Sequence, residues 1–243
     1  MSLRPLRGAA ARGRGGIPMR EAPRERYDFH SHTFLSDGET AATDMWTAAD
    51  RLDHAALAIT DHIALEDPRP LLRRLHAEAR AFEGGPLLPV VGVEISMVPP
   101  RHIASVARRA RRAGAEIVIV YGETLVEPVP EGTNWTAIES GEVDLLAHPG
   151  LLTEEDARRT RDQEVVLEIS TRRGHSLTNG IVAQRALQAG AEMVVDSDAH
   201  RPQDLVDLAF ARRVARGSGI PPERLVGILR EGPRRLLRRL GKT

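Results

Sequence analysis

Seven short apolar runs alternate with longer amphipathic stretches along this chain, and this alternation constrains its fold more than any other feature. The runs are rich in Val and Ile and cover residues 27–30, 55–60, 88–95, 116–121, 143–147, 165–169 and 193–197. Each is nearly continuous in apolar character, which is typical of parallel strands covered on both faces. Helical periodicity covers residues 41–52, 69–82, 102–113, 153–162, 179–189 and 202–216, with closing helices at 225–229 and 233–240.

Strands and helices taking turns in one block predict an α/β barrel. Seven strands can be counted where eight are standard, so we expect a distorted TIM-like (β/α)7 barrel over residues 26–243, with the closing helices at its end. A doubly wound open sheet is the competing architecture. It is disfavoured because no Gly-rich phosphate fingerprint follows the first predicted strand.

Composition restricts the chemistry. The chain has no Cys, which excludes disulfides, thiolate nucleophiles and thiolate metal sites, so any metal must be held by His, Asp and Glu. Aromatic residues make up 3% of the chain and the formal net charge is zero, which together argue against a nucleic-acid partner. The sequence shows neither a secretory signal nor an apolar run of membrane-spanning length, and we expect a cytoplasmic protein without a membrane partner.

The first 25 residues differ from the rest in composition. Residues 1–26 carry seven Arg against two Glu, mixed with Gly, Ala and Pro. This segment has too little apolar surface to offset its ordering entropy, so residues 1–25 are predicted to be a disordered extension. The alternatives are an RNA-binding or targeting arm, and a start site misassigned ahead of Met19.

Histidines and carboxylates collect at the carboxyl ends of the predicted strands. The residues in this pattern are Asp28, His30, His32, Asp61, His62, Glu94, His148, Glu168, Asp198 and His200. In an α/β barrel these strand ends meet at one mouth, which is where such folds carry their chemistry. The pattern therefore predicts a site. His54, His76 and His102 fall at the opposite end or on helices, and we expect structural roles for them.

The segment from Asp28 to His32 begins the pattern. Alternate side chains of a strand share a face, so His30 and His32 point the same way with α-carbons about 6–7 Å apart. Two imidazoles at this spacing can converge on one divalent ion. Asp28 is expected to accept a ring N–H and fix the tautomer from behind. Asp37, in the loop that follows, lies close enough in sequence to supply a carboxylate.

The last predicted strand ends on a similar arrangement. Asp198 and His200 share a face, and closure of the barrel would set them beside the first strand. Glu94 is a carboxylate inside an apolar strand, where burial is costly unless the group is paired or metal-bound. His62 and His148 lie where the chain leaves its strands for loops. For His148, a turn role is an equal alternative to ligation.

Basic side chains follow the sixth predicted strand. Arg172 and Arg173 could hold a phosphate through their planar guanidinium groups, with His175 on the same loop as a further substrate-binding residue. The alternative is a solvent-facing loop. Glu168 is expected to face the barrel interior, either as an acid–base group or as a partner to one of these arginines.

Eight residues are the predicted metal ligands: His30, His32, Asp37, His62, Glu94, His148, Asp198 and His200. Only three of them are carboxylates, so two or three divalent ions would leave a positively charged centre suited to a phosphate dianion. Nitrogen and oxygen ligands without sulfur fit Mn, Zn or Fe.

Five segments together resemble the motifs of the polymerase and histidinol phosphatase (PHP) family. They are residues 28–33 (DFHSHT) with Asp37-Gly38, 60–62 (TDH), 92–94 (GVE), 147–150 (AHPG) and 197–200 (SDAH), in the family's order. The resemblance covers about residues 26–210 and points to the stand-alone, histidinol-phosphatase-like branch. It implies a distorted barrel of seven βα units with a two- or three-metal centre for phosphoester hydrolysis.

The resemblance also implies how the ligands divide among metal positions. The implied sets are His30, His32, Glu94 and Asp198 for one ion, Glu94 and His148 for a second, and Asp37, His62 and His200 for a third. One position departs from the pattern, because Tyr121 stands where similar proteins usually have His. A phenol with an ordinary pKa near 10 is a poorer ligand. The second ion is therefore expected to be weak, absent or phenolate-bound, with Asp196 as a compensating carboxylate.

These observations predict a metal-dependent phosphomonoesterase acting on a small phosphorylated metabolite, with histidinol phosphate as the leading candidate. Asp198 or His200 would assist proton transfer. One alternative is a phosphodiesterase or nuclease on short nucleic acids, which would need a basic groove. The other is a non-catalytic RNA-binding or scaffold barrel that makes contact through the Arg-rich segment.

Overall fold

The computed structural model describes residues 24–242, in which strands and helices alternate. The strands of this region are β1 (Arg26–Asp28), β2 (His54–Ile59), β3 (His62–Ile63), β4 (Leu88–Ile95), β5 (Ile117–Tyr121), β6 (Leu145–Ala147), β7 (Val166–Ser170) and β8 (Met193–Asp196). Its α-helices are α1 (Ala42–Arg51), α2 (Arg69–Ala79), α3 (Ile103–Arg112), α4 (Thr133–Glu139), α5 (Glu154–Asp162), α6 (Asn179–Ala189), α7 (Leu208–Gly217) and α8 (Gly232–Arg239).

The strands form one parallel sheet that nearly closes into a barrel. Its order is β1-β2-β4-β5-β6-β7-β8, and the two-residue β3 pairs with β4. A parallel bridge between Ser31 and Ala199 joins the two edges of the sheet, where the His32 amide donates to the Ala199 carbonyl at 2.8 Å. The predicted distorted (β/α)7 barrel is confirmed, with the last strand beside the first.

Two carboxylates hold the seam between β1 and β8. Asp28 accepts a hydrogen bond from the Ser197 amide at 3.0 Å, and Asp196 accepts one from the Phe29 amide at 2.8 Å. The buried Arg26 guanidinium pairs with Asp28 at 2.6 Å. Within residues 24–242 Asp28 accepts no imidazole N–H, so the role predicted for it was wrong. Asp196 Oδ1 faces the seam, where backbone amides need acceptors, and its Oδ2 is buried without a partner among these residues.

Apolar side chains fill the barrel and cover its outer face. Inside, buried residues such as Phe29, Val90 and Ile119 pack together, and Leu236 and Leu237 of α8 close the amino-terminal end of the barrel. A larger buried cluster packs the outer face of the sheet against the surrounding helices. With both faces covered, the sheet leaves the carboxyl ends of its strands as the polar opening.

Several element bounds differ from the sequence prediction for local reasons. The predicted helix at 202–216 begins only at Leu208, because Asp207 caps it by accepting the Phe210 amide at 2.7 Å. Residues 225–229 contribute to a π-type turn, Gly227–Glu231, that runs into α8. Helix α4 was not predicted, since it is a short, Thr- and Asn-containing helix entered through Gly132 at φ 83°.

The Arg-rich extension predicted for residues 1–25 lies outside the described residues except for Arg24 and Glu25. Arg24 pairs with Asp50 of α1 at 2.6 Å. Among residues 24–242, none of the helices combines the length and apolar character that spanning a bilayer requires.

Candidate metal centre

Two buried imidazoles stand at the end of β1. His30 and His32 are fully buried, and their Nε2 atoms lie 3.0 Å apart. The backbone that carries them is held by the bridge to Ala199, so both rings are fixed against the neighbouring end of β8. This places two ring nitrogens in the mouth of the barrel, as the alternation of side chains along the segment predicts.

Glu94 and Asp198 face these two imidazoles. Glu94 Oε2 lies 3.2 Å from His30 Nε2 and 3.5 Å from His32 Nε2. Asp198 Oδ1 lies 3.7 and 3.3 Å from the same two atoms. We call these four residues the inner cluster. They come from β4 and from the segments that directly follow β1 and β8, so the barrel has to close before they can meet.

A second group lies nearer the solvent. Ligand atoms of His32, Asp37, His62 and His200 all lie within 4.8 Å of one another, and we call these residues the outer cluster. Asp37 Oδ2 is 3.4 Å from His62 Nε2 and 3.1 Å from His200 Nε2. His32 belongs to both clusters, so the two candidate ion positions adjoin each other.

His148 reaches the inner cluster from the end of β6. Its Nε2 lies 3.7 Å from Glu94 Oε1 and 3.9 Å from Asp198 Oδ2. His30, His148 and Asp198 also place ligand atoms within 4.8 Å of one another. All eight predicted ligands thus lie at one opening, and the structure favours the ligand interpretation of His148 over a turn role.

Orphaned polar atoms show that these residues fit a cation. Within residues 24–242, both oxygens of Glu94, both ring nitrogens of His148 and Nδ1 of His32 are buried without a hydrogen-bond partner. Leaving a buried amide or hydroxyl without a partner costs about 2–7 kcal/mol, and an unpaired carboxylate costs far more. A divalent ion among these atoms would satisfy them together. The donor set of imidazoles and carboxylates suits Mn, Zn or Fe.

The titration behaviour of the ligands supports the same conclusion. Burial lowers the pKa of His30, but the carboxylates of Glu94, Asp198 and Glu168 outweigh it and raise the pKa well above its usual value. Burial also opposes protonation of His62, yet Glu94 and Asp37 raise its pKa to about 10. Protons on these rings balance the carboxylates in the metal-free protein. A bound cation would displace them.

Two of the ligand positions carry backbone strain. His148 has a φ of 26° and Asp198 a φ of 50°, in a region that residues with a β-carbon rarely adopt. Such conformations cost about 1–3 kcal/mol each and cluster at functional sites, where the surrounding structure holds them. Both strained residues aim their side chains at the inner cluster.

Glu168 supports the centre from behind. Its Oε1 lies 2.7 Å from His30 Nδ1, and its Oε2 accepts the His148 amide at 2.7 Å. With Nδ1–H donating to Glu168, His30 presents the Nε2 lone pair to the inner cluster. Because both carboxylate oxygens are engaged this way, the contacts of Glu168 favour a role in supporting the ligands. They disfavour the two predicted roles, which were acid–base catalysis and pairing with Arg172 or Arg173.

Sequence reasoning placed Asp61 at a strand end without a role and missed Ser96, and both residues hold the outer cluster. Asp61 accepts hydrogen bonds from the Thr33 amide at 2.7 Å and the Ser36 hydroxyl at 2.6 Å, which fixes the loop that carries Asp37. The Ser96 hydroxyl lies 2.5 Å from His62 Nδ1. Asp61 directly precedes His62, and this adjacency at a strand end was the available signal.

Two of the three predicted substrate-binding residues, Arg172 and Arg173, line a cavity beside the clusters. Arg172, Arg173, His200 and Asp198 all line this cavity, which has a volume of about 560 Å³. Arg172 Nη1 donates to the Asp198 carbonyl at 2.9 Å. Arg172 therefore lies against Asp198, one of the predicted ligands, and Arg173 lines the same cavity. His175 does not line the cavity but is buried deeper, with its Nε2 3.8 Å from Asp198 Oδ2.

Tyr121 closes the inner side of the centre without offering its oxygen. Its hydroxyl donates to Glu127 Oε2 at 2.6 Å, and its ring stands edge-on to His148 with centroids 4.4 Å apart. Burial, and then Glu127, raise the pKa of the phenol far above its usual value. A phenolate ligand, one of the outcomes expected from the sequence, is therefore disfavoured.

Comparisons with known proteins match this architecture. A family profile described as PHP domain matches residues 28–198. An uncharacterized protein of Methanocaldococcus jannaschii is 40% identical over 217 residues, which is 88% of this chain and 100% of that protein.

Solved structures share the fold at low identity. Histidinol phosphate phosphatase from Lactococcus lactis, complexed with zinc, L-histidinol and phosphate, gives a TM-score of 0.58 at 15% identity, over 81% of this chain and 95% of that chain. An A. niger ochratoxinase gives 0.57 at 10% identity, over 88% of this chain and 71% of that chain. Likeness at these identities concerns the fold alone.

Proposed function

The chain belongs to the PHP domain family, and on that premise we propose that it is a metal-dependent hydrolase, specifically a phosphomonoesterase acting on a small phosphorylated metabolite. Histidinol phosphate is the leading candidate substrate. Residues 26–243 form the catalytic barrel in this proposal.

One observation carries the proposal. Buried imidazoles and carboxylates with unsatisfied ligand atoms converge on the mouth, and a cavity with two arginines adjoins them directly. A cluster of purely structural ion pairs would look different, because each buried carboxylate in it would have its own hydrogen-bond donors. Ligands for cations next to guanidinium groups are what recognition of a phosphate ester requires.

The ligands divide into the two clusters described above. The inner cluster with His148 would hold one or two ions, and the outer cluster another. When bound, divalent ions of this kind lower the pKa of water from about 15.7 toward 7 and neutralise charge on a phosphate. Glu168 keeps the His30 lone pair directed inward, and Asp61 holds the loop that presents Asp37.

The arginines are suited to hold the phosphate. Arg172 is 30% exposed and Arg173 lines the same cavity, so both can meet a ligand from solvent. Planar guanidinium groups bind two phosphate oxygens at once, which leaves the ester bond directed at the clusters. Glu39 and Asp204 also line this cavity and would attract an amine on the substrate. Histidinol phosphate carries both groups.

His200 is the better placed of the two predicted proton-transfer residues. Burial raises the pKa of Asp198, but His30 and His32 outweigh it and hold the pKa well below its usual range. Asp198 is therefore anionic at neutral pH and has no proton to give. His200 lines the cavity and lies 3.1 Å from Asp37, and it would take part in proton transfer in molecules whose outer ion position is empty.

The test is a substrate panel after metal exchange. Protein stripped with a chelator and reloaded with Mn²⁺ should release phosphate from histidinol phosphate faster than from other phosphomonoesters, and leave a dinucleotide intact. Arg172→Ala should raise KM for the phosphoester by on the order of 100-fold, while Arg158→Ala on the exposed face of α5 should not change it. Hydrolysis of the dinucleotide in preference to every monoester would contradict the proposal.

A double variant checks that the activity belongs to the centre. His30→Ala combined with His200→Ala removes one ligand from each cluster, and phosphate release should fall to background. His76→Ala on α2 serves as the matched control, since His76 bonds only the Gly114 carbonyl among the described residues. Activity that survives the double variant would come from a contaminant, and the proposal would fail.

A further inference from the structure

The corner formed by His148, Glu94 and Asp198 is short of one ligand. His148 Nε2 lies 3.7 Å from Glu94 Oε1 and 3.9 Å from Asp198 Oδ2. Both separations exceed a hydrogen bond, which for N–H···O spans about 2.7–3.2 Å. The corner thus places unbonded ligand atoms around a small space, but with a single imidazole among its three residues.

Tyr121 borders this corner and does not complete it. Its ring edge faces His148, while its hydroxyl turns away and donates to Glu127 at 2.6 Å. The phenol therefore borders the corner without supplying a ligand atom to it. A ligand for the corner has to come from another element.

His175 supplies an imidazole from the turn after β7. It is 3% exposed, and its ring stacks on His148 with centroids 4.1 Å apart and planes 21° from parallel. Its Nε2 lies 3.8 Å from Asp198 Oδ2, on the same oxygen that His148 approaches. Gly174, at φ 95°, makes the turn that brings His175 inward.

The other ring nitrogen of His175 is already held. Nδ1 lies 2.9 Å from the hydroxyl of Thr124, a buried residue on the loop after β5. With Nδ1–H donating to this hydroxyl, the Nε2 lone pair points to the corner. Metal-bound histidines are held in the same way, with their second nitrogen donating to a fixed acceptor.

The spacing is slightly wider than that of ligands around one ion. Atoms bonded to zinc at about 2.0–2.2 Å in a tetrahedral arrangement stand roughly 3.3–3.6 Å from one another. The contacts of Asp198 Oδ2 with His175 and His148, at 3.8 and 3.9 Å, lie just beyond this range. Because the two rings stack within 21° of parallel, binding one ion also requires them to turn out of the stack so that both Nε2 lone pairs meet on it.

We propose that His175 is a ligand of a divalent ion held at this corner with His148, Glu94 and Asp198, in the imidazole position that Tyr121 leaves unfilled. This inference rests on the proposed metal centre, and it replaces the sequence-based assignment of His175 to substrate binding. A substrate-binding His175 would affect KM and leave the ion content unchanged.

Metal content tests the assignment without using activity. Chelator-stripped wild type, His175→Ala, Thr124→Val and Tyr121→Phe are titrated with Mn²⁺ by calorimetry, and ions per chain are counted by mass spectrometry after dialysis. His175→Ala should lose about one ion per chain, or bind its weakest ion on the order of 100-fold less tightly. Thr124→Val should weaken the same ion by about 10-fold. Tyr121→Phe should match wild type.

The remaining outcomes are also decisive. Should His175→Ala not fold, His175→Gln replaces it, because the amide fills a similar volume without an imidazole. Wild-type ion content and affinity in the folded variant would overturn the assignment, as would loss of an ion from Tyr121→Phe alone. If the wild type binds no Mn²⁺, both the assignment and the proposed function are overturned. If the wild type binds Mn²⁺ and the His175 variant binds it equally well, only the assignment is overturned.

Discussion

At the scale of single residues, the direction of each imidazole lone pair decides what the centre can bind. His30 can present Nε2 to the inner cluster because Nδ1 is held by Glu168 at 2.7 Å. His200 is arranged differently, because its Nδ1 contacts both the Asp198 carbonyl at 3.0 Å and the Arg172 guanidinium, which can only donate, while its Nε2 lies 3.1 Å from Asp37 Oδ2. The residues behind the ligands therefore affect metal affinity without touching an ion.

Replacing Glu168 tests this support. Glu168→Gln keeps a carbonyl oxygen that can accept from His30, but its other terminal atom becomes an NH2 group. That group is a donor and would face the His148 amide N–H, which is also a donor. We expect Mn²⁺ affinity to fall by about 10–100-fold while the fold is retained. Calorimetric titration measures the change. Glu139→Gln, at an exposed pair with Arg159, is the control, and equal affinities in the two variants would remove the assigned role of Glu168.

His54 provides a pH-dependent prediction away from the centre. It is fully buried at the start of β2, and burial lowers its pKa to about 3. Below the ordinary pKa of 6.5 the unfolded chain binds a proton that the folded protein excludes, so stability falls as the pH drops from 6.5 toward 3. Urea unfolding of metal-free protein should show wild type losing about 2 kcal/mol more than His54→Gln between pH 7 and pH 5. Parallel losses in both proteins would contradict this.

At the scale of elements, close packing between strands sets where the ligands stand. Gly92 lies in β4, two residues before Glu94, and a β-carbon there would come within 2.3 Å of the Ile117 side chain and 2.4 Å of its carbonyl. β5 can approach β4 this closely only because position 92 has no side chain. The lateral position of Glu94 in the mouth depends on that contact.

Gly92→Ala should therefore force β4 and β5 apart. Overpacking of this kind costs about 1–3 kcal/mol, and we expect the free energy of unfolding to fall by that amount together with weaker Mn²⁺ binding. Gly180→Ala in α6, where a β-carbon meets nothing within 4 Å, should leave both unchanged or raise stability by about 0.5 kcal/mol. A stable Gly92→Ala variant with unchanged metal binding would show that the strands tolerate the added group.

The elements themselves followed closely from the sequence. Apolar runs of four to eight residues predicted the positions of the seven main strands, since buried parallel strands leave little room for polar residues. The sequence did not predict where α7 begins. Helical periodicity extends back to residue 202, and Asp207 can cap the helix only once the preceding turn has formed. For the same reason, the two-residue β3 follows from its pairing with β4 and has no periodicity of its own.

The site was predictable to the extent that it depends on strand ends. His30, His32, Glu94 and Asp198 could be grouped because parallel strands bring their carboxyl ends to one opening. The supporting contacts could not be predicted, since they join residues far apart in the chain, as His30 with Glu168. Asp28 was misassigned for this reason: its partners at the seam come from β8.

At the scale of the whole molecule, closure of the barrel is what assembles the centre. Ligands from β1 and β8 meet only when the seam forms, and carboxylates of Asp28 and Asp196 hold it through amides of the opposite edge. Burial, and then Asp28 and Glu168, raise the pKa of Asp196 well above its usual value, which favours the neutral carboxyl form where Asp196 accepts the Phe29 amide.

This protonation state gives a contrast between two substitutions. Asp196→Asn retains a neutral acceptor for the Phe29 amide, and it should change the melting temperature little. Asp196→Ala leaves that amide buried without an acceptor, which costs about 1–3 kcal/mol. Thermal unfolding of both variants measures the difference. A larger loss in Asp196→Asn than in Asp196→Ala would show that the seam requires the charge.

The central claim is that side chains from separate strands of this PHP-family barrel bind shared divalent ions. An anomalous difference map from a crystal soaked in Mn²⁺ tests it most directly. We predict one peak among His30, His32, Glu94 and Asp198 and another among His32, Asp37, His62 and His200. A fully soaked crystal whose map shows no peak at the mouth of the barrel would contradict the account.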